Sequence, residues 1–154
     1  MTGRDTDRLV AWSNELRGVH DRLRSALRVV RESLGSDSVE VTADLLIYCR
    51  GFCAALGRHH RGEDRGLFPA IEAAHPELAP VLRKLEQDHS MIDYLLKGLE
   101  AAANRSASSA EIEKHLEGVS AIMENHFAYE ERQLLKVLES LALRADPATV
   151  LGDF

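Results

Sequence analysis

Four stretches of the chain carry apolar residues at three- and four-residue steps, the spacing that lays them along one face of a helix. The first runs over about 8–34 and presents Leu9, Trp12, Leu16, Val19, Leu23, Ala26, Leu27 and Val30. Gly35-Ser36-Asp37-Ser38 then stops the helix and supplies capping residues for the next. The second stretch, 39–73, presents Val41, Leu45, Tyr48, Cys49, Phe52, Cys53 and Leu56, and Gly62, Gly66 and Pro69 predict a kink or break within 62–69. His75-Pro76 closes it, and the third stretch, 77–103, carries Leu78, Leu82, Leu85, Ile92, Leu96 and Leu99. Asn104 to Ser109 is a small-residue linker with serine capping candidates. The fourth stretch then covers 110–143 with Ile112, Leu116, Val119, Met123, Leu134, Val137 and Leu141. Asp146-Pro147 ends it, and the tail, 146–154, has no assigned structure.

Strand-type alternation is absent, so the fold class is all-α. Four amphipathic helices on short connections predict an antiparallel up-down-up-down four-helix bundle. A length of 154 residues supports one core, and 1–154 reads as a single domain. Apolar residues at 45% and charged ones at 29% fit a helical globular protein and not a disordered one. A formal charge of -6 without a run of Lys or Arg argues against nucleic acid or an anionic membrane surface as partner. No segment has the length of an apolar membrane span, and Met1 to Asp7 is polar where a signal peptide needs an apolar core, so a cytoplasmic location is expected. Cys49 and Cys53, one turn apart on one helix, read as reduced core thiols.

The apolar stripes also contain residues that are costly in a core. His20 lies between Leu16 and Leu23. His59, His60 and Glu63 continue the second stripe beyond Leu56, His89 lies between Leu85 and Ile92, and His126 and Glu130 fall between Met123 and Leu134. His59 with Glu63, and His126 with Glu130, stand four residues apart, which puts an imidazole and a carboxylate on one helix face. Counted from the end of the bundle where the first helix starts, His20 is 12 residues from Arg8, His59 is 14 from Ala73, His89 is 12 from Glu77 and Glu130 is 13 from Leu143. At a rise of ~1.5 Å per residue all four share one level, roughly 18 to 21 Å from that end. His126 lies on the same side a turn further on, and His60, about 100° around from His59, still reaches inward.

Burying such carboxylates without partners costs several kcal/mol, and a bound cation removes the cost. The donor set suits iron or manganese before calcium or magnesium, with zinc also possible. Two carboxylates from different helices, each with a turn-mate histidine, fit two ions better than one. A salt bridge to Arg24 or Arg132 is the competing explanation for Glu63 and Glu130. Asp64 and Glu131 read as outward acids or as acceptors for imidazole N–H groups. Asp93, one turn from His89, is a ligand, such an acceptor or a surface acid, with the acceptor role favoured. Tyr48 and Tyr129 read as core, and His75 and His115 as structural or exposed.

With these residues in place the chain resembles the hemerythrin-like (HHE) cation-binding domains. The resemblance rests on His20 in the first helix, His59-x-x-x-Glu63 followed by Leu67-Phe68-Pro69, His89 in the third helix, and His126-Phe127-x-x-Glu130-Glu131 in the fourth. It implies a site for two non-haem irons, bridged by the two carboxylates and an oxo or hydroxo group. It further implies that His20 and His59 bind one iron, His89 and His126 the other, and that Glu63 and Glu130 bridge. Oxygen-carrying members have His-x-x-x-His on the third helix, where this chain has Asp93. His60 resembles the substitute, since an iron-sensing relative uses the residue after the second-helix histidine as a ligand, and the departure counts against simple reversible oxygen carriage.

The expected function is therefore a di-iron protein that binds or reacts with dioxygen, peroxide or nitric oxide, with peroxide-removing or oxidase turnover open to it. An iron- or oxygen-sensing or storage domain acting through metal-dependent stability is the alternative, and a metal-free helical interaction module ranks last. The expected partner is a small diatomic or peroxide ligand, on a monomer or homodimer.

Overall fold

The structure, a computed structural model, describes residues 11–34, 40–105 and 107–152, with 40–45 described by backbone alone. The predicted start at Leu9, the stop and cap at Gly35 to Ser38, the side chains of Val41 and Leu45, and the end of the tail lie outside the described residues.

Among the described residues the chain is all helical. Four long helices, α1 (Trp12–Leu34), α2 (Glu40–Gly62), α4 (Ala79–Asn104) and α5 (Ser109–Glu139), are accompanied by two short ones, α3 (Phe68–Ala74) between α2 and α4, and α6 (Pro147–Leu151) after α5. The long helices pack as a ring in which α1 and α4 each touch both α2 and α5. Residue pairs across three of these seams run in opposite senses. Arg24 meets Glu124 while His20 meets Glu131; Arg50 meets Asn104 while His60 stacks on His89; Lys84 sits over Tyr129 while Asp88 meets His126.

The predicted stripes form the core. Trp12, Leu16, Leu23, Leu56, Leu85 and Leu116 are fully buried, and removing each large side chain from water contributes about 1.5–3 kcal/mol. Ser108 caps α5 by accepting the Glu111 N–H, one of the orphan amides of the first turn. Tyr48 departs from expectation. It is 42% exposed, because the α2 stripe narrows there to Cys49 and Phe52.

Between α2 and α3 the glycines and Pro69 do not break the helix. Glu63–Leu67 instead winds as a π turn, in which the N–H of Phe68 reaches back five residues to the carbonyl of Glu63. Pro69 has no N–H to give, so the widened turn costs no hydrogen bond at that position.

The fourth helix is predicted to run to Leu143, yet α5 ends at Glu139. The Ser140 N–H and hydroxyl both donate to the Val137 carbonyl, which competes with a further helical turn. Leu141 stays buried on non-helical backbone, so its apolar spacing persists after the helix has stopped. That extended run brings the Leu143 carbonyl to the Trp12 indole N–H at 2.9 Å. The tail then folds back as α6, capped by the Asp146 carboxylate on the Ala148 N–H, with Pro147 in the first turn. Its Val150 and Leu151 pack against α2 and the π turn.

Candidate metal centre

All seven predicted residues are buried and converge between the long helices: His20 from α1, His59 and His60 from the last turn of α2, Glu63 from the start of the π turn, His89 from α4, and His126 and Glu130 from α5. Their donor atoms fall into two groups. His60, Glu63, His89 and His126 each place one donor atom within 4.8 Å of the others, and so do His20, His59 and Glu130. The two groups abut. His59 Nε2 lies 3.3 Å from a Glu63 oxygen, and Glu130 reaches His126 Nε2 at 3.2 Å on one side and His20 Nε2 at 3.6 Å on the other.

The outer ring nitrogens fix which way the imidazoles point. His59 Nδ1 is 2.7 Å from the Leu151 carbonyl, His89 Nδ1 is 2.8 Å from Asp64, His126 Nδ1 is 3.3 Å from Asp88, and His20 Nδ1 is 3.4 Å from Glu131. Each acceptor favours the tautomer with hydrogen on Nδ1, which leaves the Nε2 lone pair facing inward. His60 is held by stacking on His89, ring centroids 3.8 Å apart, and His20 by stacking on Phe127 at the same distance.

Inside the ring seven polar atoms make no hydrogen bond. Nε2 of His20, His59 and His60, and all four carboxylate oxygens of Glu63 and Glu130, are buried without a hydrogen bond. Such groups each cost about 1–3 kcal/mol when left unsatisfied, more when charged. Without a cation the relief open to the carboxyls is a shared proton. Burial, with Glu130 beside it, drives the Glu63 carboxyl well above its ordinary range. Burial pushes Glu130 the same way but is outweighed by Glu63, His126 and His20 close beside it, which hold it well below. Burial lowers His59 to about 3, helped by His20, and drives His60 well below its ordinary value, so both imidazoles are neutral and free to donate a lone pair. His20 is also pushed down by burial, but Glu130 and Glu131 overcome this and raise it. Seven inward side chains, five imidazoles and two carboxylates, fit a borderline cation.

The salt-bridge explanation for the glutamates is not what the structure shows. Arg24 pairs with Glu124, Asp21 and Glu131, and Arg132 lies over the Tyr129 ring. Asp64 and Glu131 take the acceptor role that the sequence left open. Asp93 does not; its carboxylate is exposed and pairs with Lys97 at 2.9 Å, because its position on α4 turns it to solvent. Sequence reasoning missed two outer partners. Asp88, adjacent to His89, serves His126 across the helix seam, and the Leu151 carbonyl serves His59 from a segment with no assigned structure. The one available signal for the latter was Asp146-Pro147, a cap followed by a first-turn proline.

His75 and His115 stay outside the cluster, half-buried, with His75 paired to Glu77. Cys49 and Cys53 are buried free thiols, as expected. Two surface hollows reach the cluster. One of about 230 Å³ borders His60 and His89, and one of about 280 Å³ borders His126.

An all-helical fold around two abutting sets of buried histidine and glutamate donors defines a cation-binding helical domain. The hemerythrin HHE cation binding domain model matches residues 13–138, and the chain belongs to that family. No curated protein and no solved structure matches it. Among the described residues no helix is long and apolar enough to cross a membrane.

Proposed function

We propose that the chain is one domain, an antiparallel up-down-up-down four-helix bundle, holding two non-haem iron ions and acting on dioxygen, peroxide or nitric oxide. The observation that carries the reading is the set of seven buried polar atoms, on His20, His59, His60, Glu63 and Glu130, that make no hydrogen bond, with outer acceptors that turn the lone pairs of His20 and His59 inward. His60, His89 and His126 would hold one ion, His20 and His59 the other, and Glu63 and Glu130 would bridge.

Bound iron would supply redox chemistry and an open position for a small ligand. The chain's own residues do the rest. The outer acceptors orient the imidazoles, and Phe127, Phe68 and the leucines around them exclude bulk water. In the metal-free protein Glu63 is the buried group that holds a proton, which it would release on bridging the two ions. The hollows beside His60 and His126 give a diatomic molecule or peroxide a short path inward. The buried free thiols suit a reducing compartment, and we assign the protein to the cytoplasm.

The test is anaerobic loading with ferrous iron, with metal content and optical spectrum recorded on one sample before and after dioxygen and then peroxide. Two irons per chain and new charge-transfer bands are expected. Gas evolution from peroxide identifies turnover, and strong iron-dependent stabilisation without turnover identifies a sensor or store. Absence of bound iron would sink the reading.

A further inference from the structure

The histidines whose outer nitrogen has a partner differ in one respect. Those of His20, His89 and His126 face carboxylate side chains, whereas His59 faces a main-chain carbonyl, that of Leu151 at 2.7 Å. A carbonyl stays put only if its backbone does. Leu151 ends a helix of five residues, far too short to hold itself in water. Its position therefore depends on how α6 is seated.

The seat is made of glycines. A Cβ on Gly66 would lie 2.6 Å from Val150 Cγ1, and one on Gly62 would lie 2.9 Å from the Val150 carbonyl carbon. Gly152, at φ 95°, sits so close that a Cβ there would lie 2.8 Å from the main-chain nitrogen of His59. Glycine at a helix interior costs about 1 kcal/mol relative to alanine, so neither Gly62 nor Gly66 serves helix formation. Their missing side chains let α6 approach close enough for Leu151 to meet His59, and Val150 and Leu151 fill the seat, both buried.

We infer that α6 is a closing element of the metal centre: Leu151 positions His59, and docking of α6 in the Gly62/Gly66 seat and occupancy of the centre strengthen one another. The inference rests on the metal-binding reading above. The Leu151 carbonyl selects the His59 tautomer whose Nε2 lone pair faces Glu63 and the donors of the His20 group. An imidazole with Nε2 engaged is in turn a stronger Nδ1–H donor to Leu151, and such coupling is reciprocal by linkage. Leu151 is thus a positioning residue acting through its backbone, and the C-terminal segment carries a signature of the metal state.

The test is amide hydrogen exchange of residues 148–152 in the full chain, metal-free and after anaerobic loading with ferrous iron, with iron content measured on the same samples. In the unsubstituted protein, loading is expected to slow exchange there by roughly tenfold, the scale on which outer partners act on metal affinity. Gly66→Ala, which strikes Val150, should abolish that protection and hasten iron loss to a chelator by a similar factor. Gly66→Ala with Val150→Ala, which removes the struck methyls, should restore much of both. Exchange indifferent to iron in a protein that binds two irons would overturn the closing role and leave the metal reading standing. The same holds if Gly66→Ala retains iron normally after its α6 has lost protection. A protein that binds no iron overturns both.

Discussion

His89 and His126 face each other Nε2 to Nε2 at 3.1 Å, while their opposite nitrogens rest on Asp64 and Asp88. If both outer nitrogens carry hydrogen, two lone pairs confront each other across that gap, an arrangement that a cation between them resolves. Asp88→Asn weakens the outer acceptor without changing its shape. It should hasten iron loss from the protein by about tenfold. Chelator competition on the loaded protein measures this, and an unchanged rate would show that Asp88 does not orient His126.

Glu63 is fully buried with neither oxygen bonded. A buried ionisable group of this kind costs stability when nothing compensates it, so Glu63→Leu should raise the stability of the metal-free protein by about 1–3 kcal/mol. The same change should abolish stoichiometric iron binding. Urea denaturation beside metal analysis tests the pair, and a less stable metal-free variant would count against the account of the site.

The pH dependence of the metal-free protein follows from His60. Its folded value lies well below the ordinary 6.5, so below pH 6.5 the unfolded chain binds a proton that the folded one refuses. The associated stability is complete above pH 6.5 and is lost as pH falls. His59, lowered to about 3, acts in the same sense, whereas Glu63, raised by burial, acts in the opposite one. His60→Gln should therefore flatten the stability profile below pH 6.5 by up to about 1.4 kcal/mol per pH unit. Denaturant titrations at stepped pH on metal-free samples provide the comparison.

Burial, with Glu100 nearby, lifts the Cys49 thiol to about 11. A thiol reagent at pH 8 should leave it unmodified in the folded protein and react after denaturation. Because the folded value exceeds the ordinary 9.0, the contribution of Cys49 to stability is present below pH 9 and lost as pH rises toward 11.

Trp12, the single tryptophan of the chain, is fully buried and donates to the Leu143 carbonyl. Its emission should be that of a dry indole. Trp12→Phe should lower stability by about 1 kcal/mol through the hydrogen bond alone, with lost packing in addition. A variant as stable as the parent would show that the run after α5 is not tied to α1.

Helix content and the seven inward donors were legible because each long helix repeats its polar intrusions on the same stripe as its leucines. His20 between Leu16 and Leu23 is such a case, and level counting along rigid helices carries such positions into three dimensions. Asp93 shows where this fails. Its spacing of four from His89 suggested a common face, but its carboxylate points to solvent and pairs with Lys97. Asp88 took an acceptor role from the position beside a histidine, across a seam that no single-helix pattern encodes. The α6 segment was illegible for a different reason. Five residues hold too little periodicity to read, and their place is set by close packing on glycines 80 and more positions earlier in the chain.

The π turn at Glu63–Leu67 works as a phase shifter in an otherwise uniform screw. One surplus residue resets the azimuth of everything after it, so the ligand-bearing end of α2 and the Phe68–Ile71 face of α3 answer to separate geometric constraints. Were Glu63–Leu67 to wind as plain α-helix with no residue removed, Phe68 and Ile71 would turn by about 100° away from the core, while His59 and His60 upstream kept their bearing. The widened turn thus carries one residue more than the helix needs, while Phe68 and Ile71 stay buried beneath the centre and the histidines of α2 keep their own face.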